Sequence, residues 1–193
     1  MTGYPKIWFL RHGETEWNAE RRIQGQLESR LTARGIGHAE AQARLMAPIL
    51  RVDPPCFVSP LGRAQHTAKI ALGGRPFATD LRLAEAHAGE WQGRLSDDVR
   101  YALQGTVDIG TSALELFMSA PGGEGYASFR DRIASFLNEL TEPTVVVAHG
   151  LWGQVMRGLV RGLTFAEMTR LTNDQACIYV LEQGRETVLH ETA

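Results

Sequence analysis

The chain has 193 residues, 44% of them hydrophobic and 22% charged, with a formal net charge of −2. That length fits one domain with a sizeable core, and the slightly acidic balance argues against a nucleic-acid binder held by electrostatics. No stretch approaches the roughly 20 apolar residues of a membrane span, and Met1 to Pro5 lack the charged and apolar regions of a signal peptide.

The first element is a short apolar run, Ile7-Trp8-Phe9-Leu10, that ends abruptly in Arg11-His12-Gly13. It is too short for a helix and reads as a buried strand. Arg11 and His12 then stand at its carboxyl end, where open α/β sheets place their ligand crevices. A polar loop follows over residues 18–30, with Arg21, Arg22, Gln24 and Gly25. Thr32 caps a helix to about Ala47, and Pro48 and Pro54-Pro55 close that unit. Cys56-Phe57-Val58 is a second strand, and a helix runs from the Ser59-Pro60-Leu61-Gly62-Arg63 turn to about Leu72. Residues 76–79 offer a third strand, before Glu85 and a glycine-rich turn at 89–93.

Residues 95–121 are the least regular. They hold helical pieces such as 112–118 and no clean strand, and they read as an insertion over the sheet edge. An amphipathic helix over 126–140 carries Phe129, Ile133, Phe136, Leu137 and Leu140 on one stripe. Thr144-Val145-Val146-Val147-Ala148 is a β-branched run that reads as a central parallel strand. It ends in His149-Gly150, and a helix follows over 151–163. Two strands, 176–181 and 186–189, finish the chain. Cys56 and Cys177 each sit in an apolar stretch and read as reduced core residues. With no leader in evidence, the expected location is the cytoplasm.

Alternation of strand and helix predicts an α/β fold, three layers with a mostly parallel sheet between helices. Parallel strands share one carboxyl edge. The fragments ending in Arg11-His12, in Ser59 to Arg63 and in His149 therefore project toward one crevice. Two arginines and two histidines gathered there repel one another unless an anion joins them, and phosphate matches the arginine fork.

Leu10-Arg11-His12-Gly13-Glu14-Thr15 with Trp17-Asn18, then Ser59-Pro60-Leu61-x-Arg63-Ala64-x-x-Thr67-Ala68, then Glu85 before Gly89 and Gly93, then Ala148-His149-Gly150, resemble four motifs of the histidine phosphatase superfamily, the phosphoglycerate mutase-like family. The motifs stand in the family's order and span nearly the whole chain. The resemblance implies a single domain over residues 1–193, with a substrate-shaping insertion at about 95–121. It implies catalysis through a phosphohistidine without metal or other cofactor. His12 would be the nucleophile. Arg11, Arg63 and His149 would clamp the phosphoryl oxygens, and Asn18 would add a neutral donor. Glu85 would be the general acid and then the base, with Glu90 as its rival. Gln24 and Gly25 fall where the family lines its pocket.

His66, one turn beyond Arg63, reads as supporting. His87 reaches toward the pocket rim, and His38 and His190 have no company. Arg21 and Arg22 are either distal anion contacts or solvated charges.

Three functions compete. A phosphomonoester phosphatase acting on a small phosphorylated metabolite is the leading one. A phosphoglycerate mutase is the second, although Ala86 stands where mutases carry an arginine. A non-catalytic phospho-ligand module has no need of a nucleophile beside an acid. A metal hydrolase lacks ligand-spaced pairs. Between Leu95 and Pro121 the only basic residue is Arg100, against Asp97, Asp98, Asp108 and Glu115, a poor match for highly phosphorylated ligands. The oligomeric state is open, with a homodimer one arrangement the sequence allows.

Overall fold

The computed structural model describes residues 3–104 and 112–191. In chain order its elements are β1 (Ile7–Arg11), α1 (Glu16–Ala19), α2 (Ala33–Ile49), β2 (Cys56–Val58), α3 (Gly62–Ala71), β3 (Ala78–Thr79), α4 (Ser96–Leu103), α5 (Ala113–Met118), α6 (Gly125–Asn138), β4 (Thr144–Ala148), α7 (Gly150–Arg161), α8 (Phe165–Met168), β5 (Ile178–Glu182) and β6 (Arg185–Leu189). One sheet carries the strands in the order β3-β2-β4-β1-β5-β6. The pairings among β1, β2, β3 and β4 are parallel. The closing strands β5 and β6 pair antiparallel. Mostly parallel, with an antiparallel edge, is thus the sheet that forms.

The two faces follow from the period-two alternation of a strand. Ile7, Phe9, Val146, Ala148, Tyr179 and Leu181 pack toward one side with Phe129, Ile133, Phe136 and Leu137 of α6 and Trp152, Val155 and Met156 of α7. Trp8, Leu10, Val145, Val147, Ile178 and Val180 pack toward the other, with Met46 of α2 and Ala64 and Ala68 of α3. Strands buried on both faces read as unbroken apolar runs, which is why β1 and β4 stand out in the sequence. A third cluster of Ile23, Ala88, Trp91, Val99 and Leu116 joins the loop after α1 to α4 and α5.

Several boundaries differ from expectation. Pro48 does not close the first helix unit, since α2 runs on through it to Ile49. A proline in the last turn removes only one helical bond, and Leu50 just beyond is buried in the core. The 126–140 helix ends at Asn138, and the 151–163 helix ends at Arg161, where Gly162 takes a left-handed φ of 70°. α4 and α5 are the helical pieces of the 95–121 segment, whereas the short helices α1 and α8 carry no signal of period in the sequence. α8 is a single turn held by a capping box from Thr164 to Glu167. The middle of the 95–121 segment, residues 105–111, lies outside the described residues.

Candidate active site

Register brings the motifs together. Arg11 pairs with Ala148 across β1 and β4, and Val58 pairs with Val147 across β2 and β4. The next residue of each strand continues the ladder: His12 N–H donates to the Ala148 carbonyl at 3.0 Å, and Ser59 N–H donates to the Val147 carbonyl at 3.0 Å. His12, Ser59 and His149 therefore leave three neighbouring strands at one level. The His12 and His149 rings stand 5.2 Å apart between centroids, about one strand spacing. Gly13 turns the chain beneath them, and its N–H donates to Thr67 Oγ1 of α3 at 3.0 Å. A Cβ at Gly13 would come within 2.1 Å of the Gly35 carbonyl oxygen. Only glycine fits where α2 crosses so closely.

His12 is buried. Its Nδ1 lies 2.7 Å from the Gly13 carbonyl. A carbonyl accepts only, so Nδ1 carries the ring proton and Nε2 keeps its lone pair. Arg63 Nε donates to that Nε2 at 3.3 Å. Burial, then Arg63 and Arg11, push the His12 pKa well below its ordinary value. The ring is neutral, with its lone pair toward the crevice.

Arg63 enters from the first turn of α3. Its Nη1 donates to the Leu27 carbonyl at 2.9 Å and its Nη2 to the Gly25 carbonyl at 2.8 Å. Burial lowers its pKa to about 10, with Glu85 and Glu28 acting against that fall, so it stays cationic at neutral pH. Arg11 Nη1 donates to the Asn173 carbonyl, and Gly150 packs against its Nε, where a Cβ would lie 3.3 Å away. Arg11 Nε and His149 Nδ1 are buried polar atoms with no hydrogen-bond partner among the described residues. A buried group left in that state costs about 1–3 kcal/mol. Two of them, one on the Arg11 guanidinium itself and both near Arg63, mark a place built for an external group.

Glu85 faces these cations. Its Oε2 accepts from Leu151 N–H at 3.0 Å, and its Oε1 accepts from Trp152 N–H and Ala86 N–H at 3.0 Å. It thus caps the N-terminus of α7, where His149 at the cap position supplies no side-chain bond. Its own carbonyl is pinned by Arg132 Nη2 and Gln26 Nε2, both at 3.0 Å. Burial raises its pKa above the ordinary carboxylic value, opposed by those backbone bonds and by Arg63.

Arg11, His12, Asn18, Gln24, Gly25, Arg63 and Glu85 line a cavity of about 340 Å³, whereas His149 is fully buried and its neighbours Gly150 and Leu151 reach the lining in its place. Arg21, Arg22, Ser96, Ala113, Phe117 and Asn173 are also part of its wall. Asn18 also serves in a capping box with Thr15, and Gln24 Nε2 donates to Thr15 Oγ1 at 2.8 Å. Gly25 has a φ of 54°, and a Cβ there would come within 2.2 Å of Gln92 Oε1. Gln92 Oε1 in turn accepts from Gln26 N–H at 2.8 Å. That bond seats the two carbonyls, Gly25 and Leu27, that grip Arg63.

Other candidates stand apart. Glu90 is exposed and does not line the cavity, its N–H bound to the Pro121 carbonyl. His66 is exposed and lines a neighbouring cavity with Glu16, Glu28 and Arg30, one that shares Trp17 and Arg63 with the first. His87 bonds to Gly89 N–H, His38 to Glu14 N–H, and His190 is exposed. Arg22 is committed to Glu20 and to the Gly93 carbonyl, whereas Arg21 has a loose pairing with Asp97 at 3.8 Å.

Four contributors escaped the sequence reading. Ser59 and Thr67 belong to the second motif but received no role. The signal for Thr67 was its place one helical turn beyond Arg63, whose carbonyl its hydroxyl meets at 2.8 Å. Asn173 holds Arg11 through its carbonyl, and Gln175 Nε2 donates to the His12 carbonyl at 3.0 Å. Both lie in an aperiodic polar stretch before β5, which carries no such signal.

Residues 7–191 match the family model of the histidine phosphatase superfamily, branch 1. The chain belongs to that superfamily. Among curated histidine phosphatase relatives, the glucosyl-3-phosphoglycerate phosphatase of Mycolicibacterium vanbaalenii is 35% identical over 179 residues, covering 83% of this chain and 73% of that protein. A probable phosphoglycerate mutase GpmB of Serratia proteamaculans is 35% identical over 164 residues, covering 76% and 70%. Among solved structures, the mycobacterial glucosyl-3-phosphoglycerate phosphatase Rv2419c with VO3 superposes with a TM-score of 0.78 at 28% identity, over 97% of this chain and 100% of that one. Membership explains why four separated motifs converge on one crevice with unpaired buried nitrogens.

Proposed function

We propose that this histidine phosphatase hydrolyses phosphomonoesters of small metabolites through a phosphohistidine on His12. The observation that carries the reading is the pair of buried, unpartnered nitrogens, Arg11 Nε and His149 Nδ1, beside a neutral histidine whose Nε2 lone pair faces the crevice. Arg11, Arg63 and His149 bind the phosphoryl oxygens and gain most as charge spreads over them in the transition state. Arg63 Nε leaves His12 Nε2 for a phosphoryl oxygen as substrate arrives. The freed Nε2 attacks phosphorus, the P–O ester bond breaks, and Glu85 gives its proton to the departing alkoxide. Glu85, now a carboxylate, takes a proton from the water that attacks the phosphohistidine. The P–N bond breaks, phosphate leaves, and His12 and Glu85 return to their starting states.

Asn18, Gln24 and Gly25 line the phosphoryl cavity, and the 95–121 insertion shapes the leaving-group side through Ser96, Ala113 and Phe117. The charge that a divalent cation supplies in other phosphoryl transfers comes here from Arg11 and Arg63, with His149 adding a neutral donor. The two cysteines are free and buried, and among the described residues no helix is long and apolar enough to cross a membrane. The free cysteines fit a reducing cytoplasm.

Phosphoryl transfer of the mutase kind is the second reading, favoured by the kinship with a probable mutase and by Arg21 and Arg22 at the cavity wall. A mutase must hold a second phosphate while excluding water. Arg22 is already committed, and the insertion is net acidic. The test supplies 3-phosphoglycerate with catalytic 2,3-bisphosphoglycerate, beside a panel of phosphate esters, and follows 2-phosphoglycerate and free phosphate. Phosphate release outpacing isomerisation supports the phosphatase. Isomerisation faster than release returns the chain to the mutase branch.

A further inference from the structure

We propose that Ser59 is a positioning residue that sets the tautomer of His149, so that His149 presents an N–H donor at Nδ1 to the phosphoryl group. The inference deepens the phosphatase reading and rests on it for the identity of the acceptor.

Ser59 is fully buried at the end of β2. Its seat is fixed on both sides: its N–H donates to the Val147 carbonyl, and its carbonyl accepts from Gln65 Nε2 at 2.6 Å. Its Oγ lies 2.6 Å from His149 Nε2 and accepts from Leu61 N–H at 3.3 Å. The serine proton needs an acceptor, and Leu61 N–H is a donor. Among the described residues the one acceptor within reach is the lone pair of His149 Nε2.

The reverse assignment fails on bookkeeping of donors. Were Nε2 protonated, Ser59 Oγ would receive two donors and its own proton would point nowhere. Nδ1 would then offer a lone pair to an anion, which repels it. A doubly protonated ring is opposed by burial and by the facing charges of Arg63 and Arg11. With the serine donating, every polar atom of the pair is satisfied except Nδ1–H, and Nδ1 is the atom the protein leaves without a partner. In a buried network the hydrogen bond on one ring nitrogen dictates what the other can do.

The test reads the tautomer directly. Histidine-selective 15N labelling with long-range proton–nitrogen correlation, assigned by loss of the signals in His149→Gln, reports which nitrogen of His149 is protonated. In the wild-type protein Nδ1 carries the proton and Nε2 is bare. Ser59→Ala shifts the proton wholly or partly to Nε2 and weakens inhibition by vanadate about ten- to a hundredfold, as loss of one donor to a charged group does. Ser59→Thr, which keeps the hydroxyl, holds the wild-type tautomer.

A wild-type spectrum with the proton on Nε2 overturns the proposal whether or not any variant folds. So does a Ser59→Ala protein that keeps the proton on Nδ1 or binds vanadate unchanged. The spectrum needs neither ligand nor turnover. A wild-type protein with the expected tautomer that hydrolyses no phosphate ester would contradict the phosphatase reading and leave the role of Ser59 standing.

Discussion

In Glu85→Gln the side chain keeps its shape and loses the proton it would lend to the leaving group. General acid catalysis contributes about 10²–10⁴-fold. An alkyl phosphate, whose alkoxide must be protonated as it departs, should lose kcat/KM in that range. A nitrophenyl ester, whose leaving group is stable as an anion, should lose far less. The fold sets how cleanly this can be read. One amide oxygen can still serve Trp152 N–H and Ala86 N–H, but the amide nitrogen then faces Leu151 N–H, where Oε2 now accepts at 3.0 Å. That orphaned donor costs about 1–3 kcal/mol, partly offset by relief of a buried charge, so the variant should remain folded. Urea denaturation checks this, and both esters are then assayed against pH. In the wild-type enzyme kcat/KM for the alkyl ester should fall as pH rises through the raised Glu85 pKa. That limb should be absent with the nitrophenyl ester. Equal losses on both esters in a folded Glu85→Gln protein would refute the assignment.

Turnover should survive exhaustive chelation, since Arg11 and Arg63 neutralise the phosphoryl charge; loss with recovery on adding a divalent ion would contradict this. Stability should fall as pH drops from about 6.5, because burial holds His12 and His149 well below that value and the unfolded chain then takes up protons that the folded one refuses. In thermal melts His12→Asn should flatten that acid-side slope, with Glu85 contributing a slope of opposite sign because its folded pKa is raised. Gly25→Ala should lower kcat/KM at least about tenfold, since its Cβ would strike Gln92 Oε1 and shift the carbonyl that grips Arg63. Unchanged kinetics in that variant would mean that the loop does not hold Arg63.

The strands that carry chemistry were the most legible part of the chain. β1 and β4 are short apolar runs broken by Arg11-His12-Gly13 and His149-Gly150, and burial on both faces makes such runs conspicuous. The parallel register then brought the fragments to one edge, as alternation of strand and helix implied. What the sequence hid is contact that depends on side-chain reach rather than period. Ser59 meets His149 across 90 positions of chain, and Asn173 meets Arg11 across 162. Nothing in either local pattern marks the pairing. Glu85 was legible as an acidic residue of the third motif, but its service as the cap of α7 was not, because the capping anion comes from a distant loop rather than from the cap position itself. Pro48 misled for a plain reason: a proline in the last turn of a helix removes only one helical bond, and Leu50 just beyond it is buried, so its presence alone does not fix the boundary.

The central claim is that His12 Nε2 carries the phosphoryl group. Wild-type protein is mixed with a labelled phosphomonoester, quenched in alkali within the first turnover to spare an acid-labile P–N bond, digested and mapped. The account predicts label on His12 with phosphorus on Nε2, because Nδ1 is engaged with the Gly13 carbonyl, and no label in His12→Asn. Label on Nδ1, label on another residue, or equal labelling of His12→Asn would contradict it.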